Sequence, residues 1–191
     1  MALERKMEQS IKPVLVEYAD WLSERWKDEV DQTSMKLKVQ KQLPSKEFEQ
    51  WANKFGKSIQ EPMGLVMDIG AKAGMKDLPG ISVDWSLENV EAQKWLKGYS
   101  STLANTVFTT SFKEMTDSLA FGLSLGEDMF QLSDRVRDHT AMIKQWKALQ
   151  VAQTETIRAY SQGSLQVYKQ SGVVERKIWL DGQMGACPLC Q

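Results

Sequence analysis

Apolar residues return every three or four positions over most of this chain, and the interruptions in that rhythm divide it into helices. Leu15, Tyr18, Leu22, Trp26 and Val30 share one face of a long amphipathic helix expected over residues 1 to about 42. Pro13 suits a first turn but not a helix interior, so the residues ahead of it read as a separate arm or a kinked start. A second helix opens at Ser45, a good cap, and carries Phe48, Trp51, Ala52, Phe55 and Ile59 on one side. Glu61-Pro62 reads as a break, and Gly64, Gly70 and Gly74 weaken the short helix expected over 62–74 by up to ~1 kcal/mol each relative to alanine. Residues 75 to 83, with Pro79-Gly80, form a loop.

Ser86 is the expected cap of a third helix, with Val90, Leu96, Tyr99, Leu103 and Val107 on its buried face. The same rhythm continues through Phe112, Met115, Leu119 and Leu123, with a kink expected among the threonines. Gly122 and Gly126 end this helix, and Glu127-Asp128 start a short one bearing Met129, Leu132 and Val136. The last long helix is expected over 140–171, with Met142, Trp146, Leu149, Ile157, Tyr160, Leu165 and Tyr168 as its apolar surface. Gly172 stops it. Residues 173–180 then read as a strand carrying Trp179, and Asp181-Gly182 as the turn of an unfinished hairpin. The pattern therefore predicts a mainly α protein: an elongated antiparallel helical bundle with a small C-terminal β element. The loop before residue 84 divides it into an N-terminal helical region, 1–84, and a second helical domain, 85–191.

Composition narrows the function. Twenty-four basic and 25 acidic residues leave a net charge of −1, which argues against non-specific binding to nucleic acid. No apolar run approaches the ~20 residues of a membrane span. The first residues, Met1-Ala2-Leu3-Glu4-Arg5-Lys6, lack the apolar stretch of a signal peptide, so a cytosolic setting is expected. There, Cys187 and Cys190 at x-x spacing read as metal-binding or redox groups rather than as a structural disulfide.

Other candidate chemistry is sparse. Lys36, Lys38 and Lys41 suit a helix C-terminus or, alternatively, a phosphate contact. His139, the only histidine, has no Cys, Asp or Glu at ligand spacing and reads as a loop or cap residue between two helices. Thr154, Glu155 and Arg158 form a polar stripe on the last helix, with Glu155 and Arg158 three apart and able to pair. No nucleophile, base or second acid stands at matching positions, so the stripe reads as structural and the chain as non-catalytic. Ten methionines and seven tryptophans fit either helix cores or an adaptable interaction surface. Trp21, on a different face from Leu15, Leu22 and Trp26, is the candidate interface residue.

From Ser86 onward these motifs resemble, in order, the phage head morphogenesis family, the minor head proteins of the phage Mu F-like type. Gly122-Leu123-Ser124-Leu125-Gly126-Glu127-Asp128 is similar to that family's link between helices, and Phe130-Gln131-Leu132-Ser133-Asp134-Arg135-Val136 to its short helix. Ala152-Gln153-Thr154-Glu155, running to Gly163, resembles its Ala-Arg-Thr-Glu helix, with Gln153 in place of the usual arginine. Gly172-Val173-Val174-Glu175-Arg176-Lys177-Ile178-Trp179 is similar to its strand entry, and Cys187-Pro188-Leu189-Cys190 to its Cys-x-x-Cys.

The resemblance implies a non-enzymatic minor capsid protein that acts in head assembly at the portal vertex, or in the fate of packaged DNA. Its implied partners are portal and capsid proteins, with self-association, little or no DNA contact and no membrane. Its implied location is the virion, in the capsid interior or at the portal, and the host cytoplasm during assembly. The region 1–84 lies outside the resemblance and is the expected docking part. Cys187 and Cys190 make half of a zinc site; a pair of free thiols is the plainer alternative, and a redox pair lacks the strand-then-helix setting it needs. The family's next His/Cys segment is absent, so no cofactor is expected here, and zinc only in a longer chain. A non-catalytic helical module of a longer polypeptide, with an enzymatic or toxin domain downstream, is the alternative.

Overall fold

The computed structural model describes residues 2–31 and 45–176, and nearly all of them are helical. The elements are α1 (Ala2–Asp31), α2 (Ser45–Lys76), α3 (Val90–Ser124), α4 (Met129–Met142) and α5 (Ala148–Ser171). A π-helical turn, Ile143–Lys147, joins α4 to α5, and the residues on both sides of it keep right-handed helical angles. The two form one rod of about 65 Å at 1.5 Å per residue.

Side-chain contacts give the directions of the rods. Lys6 pairs with Glu61 at 3.5 Å and Lys54 pairs with Glu17, so α1 and α2 are antiparallel. Gln60 Nε2 donates to Ser100 Oγ at 2.8 Å while Phe48 and Phe55 both reach Phe108, so α2 and α3 are antiparallel. Ser111 meets His139 and Ser118 meets Arg135, which turns α4 back along α3. Lys144 Nζ meets Asp20 Oδ1 at 2.5 Å and Thr156 reaches Met7, so α5 returns along α1. Counting α4 and α5 as one rod, rods adjacent in sequence are therefore antiparallel, and α2 and α5 are left to run parallel.

The α2–α5 crossing is the most extensive in the molecule, and glycine makes it. A Cβ on Gly163 would overlap the Met67 carbonyl oxygen, and one on Gly70 the Tyr160 carbonyl oxygen. Ser164 Oγ donates to the Gly70 carbonyl at 2.8 Å beside this crossing. Gly64, Gly70 and Gly74, expected only to weaken this helix, line its buried side. Here the propensity cost is outweighed by backbone approach.

One apolar core draws residues from every helix. Its centre is Phe108, with the rings of Tyr18 at 4.6 Å and Phe55 at 5.6 Å. The division expected at residue 84 thus falls in a loop of one bundle, and the helices on its two sides share that core. Burial also explains the two prolines. Met7 and Ile11 before Pro13 are as buried as Val14 and Leu15 after it, and Ile59 and Met63 flank Pro62 in the same way. Packing on both sides outweighs the one backbone hydrogen bond that each proline removes, so neither breaks its helix.

The cap of α3 is Asn89, whose side chain accepts from the Glu91 N–H at 2.9 Å; Ser86, the expected cap, instead accepts from the Glu88 N–H in the loop. Val90, expected on the buried face, is exposed. Gly126 turns the chain at φ 74°, and Asp128 caps α4 in a reciprocal box with Gln131. Arg135 straps this hairpin by a two-pronged pair with Glu127, at 2.5 and 2.6 Å, and lies over the Phe121 ring. Gly172 ends α5 at φ 69°. Residues 173–176 have no strand structure, and the rest of the expected β element lies outside the described residues.

Candidate functional site

The stripe Thr154, Glu155, Arg158 falls on three different settings around α5. Its buried face consists of Ala148, Val151, Ala152, Glu155, Ala159, Gly163, Gln166 and Val167. Small residues there let α5 lie close against α2, and Glu155 is the one acid carried inward. Thr154, one position earlier, points to solvent. Arg158 stands at the rim, about half exposed.

Glu155 is 3% exposed. Its Oε1 accepts from Arg158 Nη1 at 2.9 Å, and its Oε2 is buried with no hydrogen-bond partner among the described residues. Removing the carboxylate from water disfavours its charged form, and burial raises its pKa from 4.5 to about 7. Arg158 also donates to the Tyr99 hydroxyl, and its guanidinium lies 5.2 Å from the Tyr99 ring centre. Tyr99 in turn stacks on Trp95 at 4.9 Å with the rings 2° from parallel. The result is a column, Trp95–Tyr99–Arg158–Glu155, that ties the start of α3 to the middle of α5. The Glu155–Arg158 pair is legible from its spacing of three. The aromatic half is not, because nothing local links positions 95 and 99 to 158; the only sequence signal is two aromatics four apart on one helix.

Such a column can hold helices in register and can bind a proton at Glu155. Glu155 has one bonded partner among the described residues, Arg158, and neither a nucleophile nor a second acid is bonded to it. His139 is not bonded to the column. It lies within α4 rather than in a loop between helices, its Nε2 is 3.0 Å from the Ser111 carbonyl, and burial lowers its pKa.

Trp21 is partly buried inside the chain: it stacks on Tyr18 at 5.8 Å and lies 6.4 Å from Trp51, with Arg25 over its ring. Cys187, Cys190 and the lysines at 36, 38 and 41 lie outside the described residues. Among the described residues, no group of three or more His, Cys, Asp or Glu is placed to hold a metal ion, and no helix is long and apolar enough to cross a membrane.

The large apolar residues expected along the last helix lie mostly opposite its buried face. Met142 is 62% exposed, Trp146 57% and Ile157 69%. Helical periodicity alone assigns such residues to a core; here the core side is taken by alanine, glycine and valine, with Glu155 and Gln166.

The fold defines the class, a mainly α helical bundle. No family model matches this chain, and no curated protein or solved structure matches it at a significant level.

Proposed function

We propose that this chain is a non-enzymatic assembly protein, a phage minor head protein that acts at the portal vertex or on the fate of packaged DNA. The observation that carries this reading is the ordered series of motifs from Ser86 onward, whose best match, residues 152–163, ends on the glycine that seats α5 against α2. Its partners are portal and capsid proteins, and its places are the virion and, during assembly, the host cytoplasm. Cys187 and Cys190 would supply two of the four ligands of a structural zinc site.

Two features support a binding role. Large apolar side chains stand exposed along the α4–α5 rod at Met142, Trp146, Ile157 and Tyr160, and the one buried acid of α5 is tied into a structural column. The test is quantitative mass spectrometry of purified particles from the phage that encodes this chain. The expected result is a few copies per particle, enriched in portal-containing fractions. A chain present in infected cells yet absent from both proheads and virions contradicts the proposal.

A further inference from the structure

The C-terminal half of α5 carries a groove that the chain itself helps to build. Gly172 ends the helix in the left-handed conformation, at φ 69°. The residues after it do not leave the bundle. Val174, Glu175 and Arg176 line a groove of about 550 Å³ together with Tyr160, Leu165 and Tyr168 of α5. Tyr160 lies about 18 Å before Gly172 along the helix axis, and the four residues from Gly172 to Arg176 span at most about 14 Å when extended. A chain that continued forward from Gly172 could not share a groove with Tyr160, so it folds back over α5.

A second groove, of about 450 Å³, adjoins the first, because Ser161 and Leu165 line both. It extends in the direction of the returning chain, past Arg158 and Ile157 to Thr154. Apolar side chains meet water along this line: Ile157 is 69% exposed, and Tyr160 and Val174 are 41% exposed each.

We infer that these two grooves are filled by the chain's own C-terminal segment, with Ile178, Trp179 and Leu180 laid along α5 toward Ile157. Residues 177–191 lie outside the described residues. What points to them is the place where the described chain ends. Arg176 stands in the first groove, on a path that leads to the second. Ile178, Trp179 and Leu180 follow it by two to four residues, so an extended backbone carries them about 7–14 Å further, into the second groove. Three consecutive large apolar side chains then leave water together with the apolar surface of α5. A tethered segment also outcompetes a separate partner, because a tether this short keeps its effective concentration at the groove high. Met142 and Trp146 lie outside both grooves and stay exposed in this arrangement, so the inference does not depend on the proposed function.

Thiol labelling of the purified full chain tests this. The background has Cys187 and Cys190 changed to serine, and Ile157→Cys supplies the thiol that a maleimide attacks. A docked segment admits the reagent only when it opens. The reaction should therefore be at least about tenfold slower than in a chain that also carries Ile178→Ser, Trp179→Ser and Leu180→Ser. Phe130→Cys is the control: Phe130 is 84% exposed on α4, and a thiol there should react fast with and without the three serines. Circular dichroism melts report that each variant is folded. The slow rate at position 157 should hold as the chain is diluted. Protection that instead grows with chain concentration assigns the grooves to a second copy and overturns the inference. So does a thiol at 157 that reacts as fast as the one at 130, or protection that the three serines leave unchanged.

Discussion

Glu155 is the residue whose behaviour departs furthest from its sequence context. A glutamate three positions before an arginine ordinarily makes a surface pair of a few tenths of a kcal/mol. Here the backbone turns it inward while Arg158 stays at the rim, and one carboxylate oxygen is left without a partner among the described residues. Its folded pKa of about 7 lies above its ordinary value of 4.5, so the folded state holds more protons than the unfolded state between those values. Stability therefore falls as pH rises through that window, by up to roughly 3 kcal/mol at 1.36 kcal/mol per unit, and no penalty remains below it. Glu155→Gln removes the titration. The variant should be more stable than the parent at pH 8 and nearly equal to it at pH 4.5, as read by urea denaturation. An advantage of the same size at both pH values would show that burial does not shift this group. The pair itself is visible in the sequence. Its burial is not, because facing depends on which side of α5 meets α2.

At the scale of elements, the π-helical turn decides that facing. One extra residue in a turn rotates everything beyond it by about 100° relative to an unbroken α-helix. The face that α4 buries with Leu132, Val136 and Thr140 is thus continued on α5 by Ala148, Ala152, Glu155 and Ala159. Apolar periodicity cannot register a single added residue, so the sequence reads as two helices parted near His139. The same periodicity counts large side chains, whereas the tightest seam here is built from glycine and alanine. Deleting Gln145, which is exposed, should restore α-helical register while turning Gly163 away from α2. Circular dichroism should then show retained helix content but a broad, lowered melt, and a deletion variant as stable as the parent contradicts this role of the turn. Gly163→Ala should cost about 3 kcal/mol, because the added methyl meets backbone that cannot move aside. Gly98→Ala, on α3 with open space around it, should instead stabilise by about 0.5–1 kcal/mol. Chemical denaturation of the two variants side by side checks both signs. The stripes of α1 and α2, the loop after Lys76 and the capped turn into α4 are legible because local chemistry sets them. The two prolines mislead because distant packing overrides a local rule.

For the whole molecule, the core shared by α1 to α5 changes how the docking role expected of residues 1–84 can be examined. Removing them would strip Tyr18, Trp26, Phe55 and Met67 from the interior, and any loss of partner binding would then report unfolding. Substitutions on exposed positions keep the bundle intact and are the sound probes. If the chain is the minor head protein proposed above, it must associate with the portal protein of the phage that encodes it. Analytical ultracentrifugation of the purified full chain mixed with that portal protein puts the requirement to a direct test. Part of the chain should sediment with the portal ring, in a ratio that saturates as more chain is added. A chain that sediments alone at every ratio, folded by circular dichroism and in the presence of intact portal rings, contradicts the assembly role.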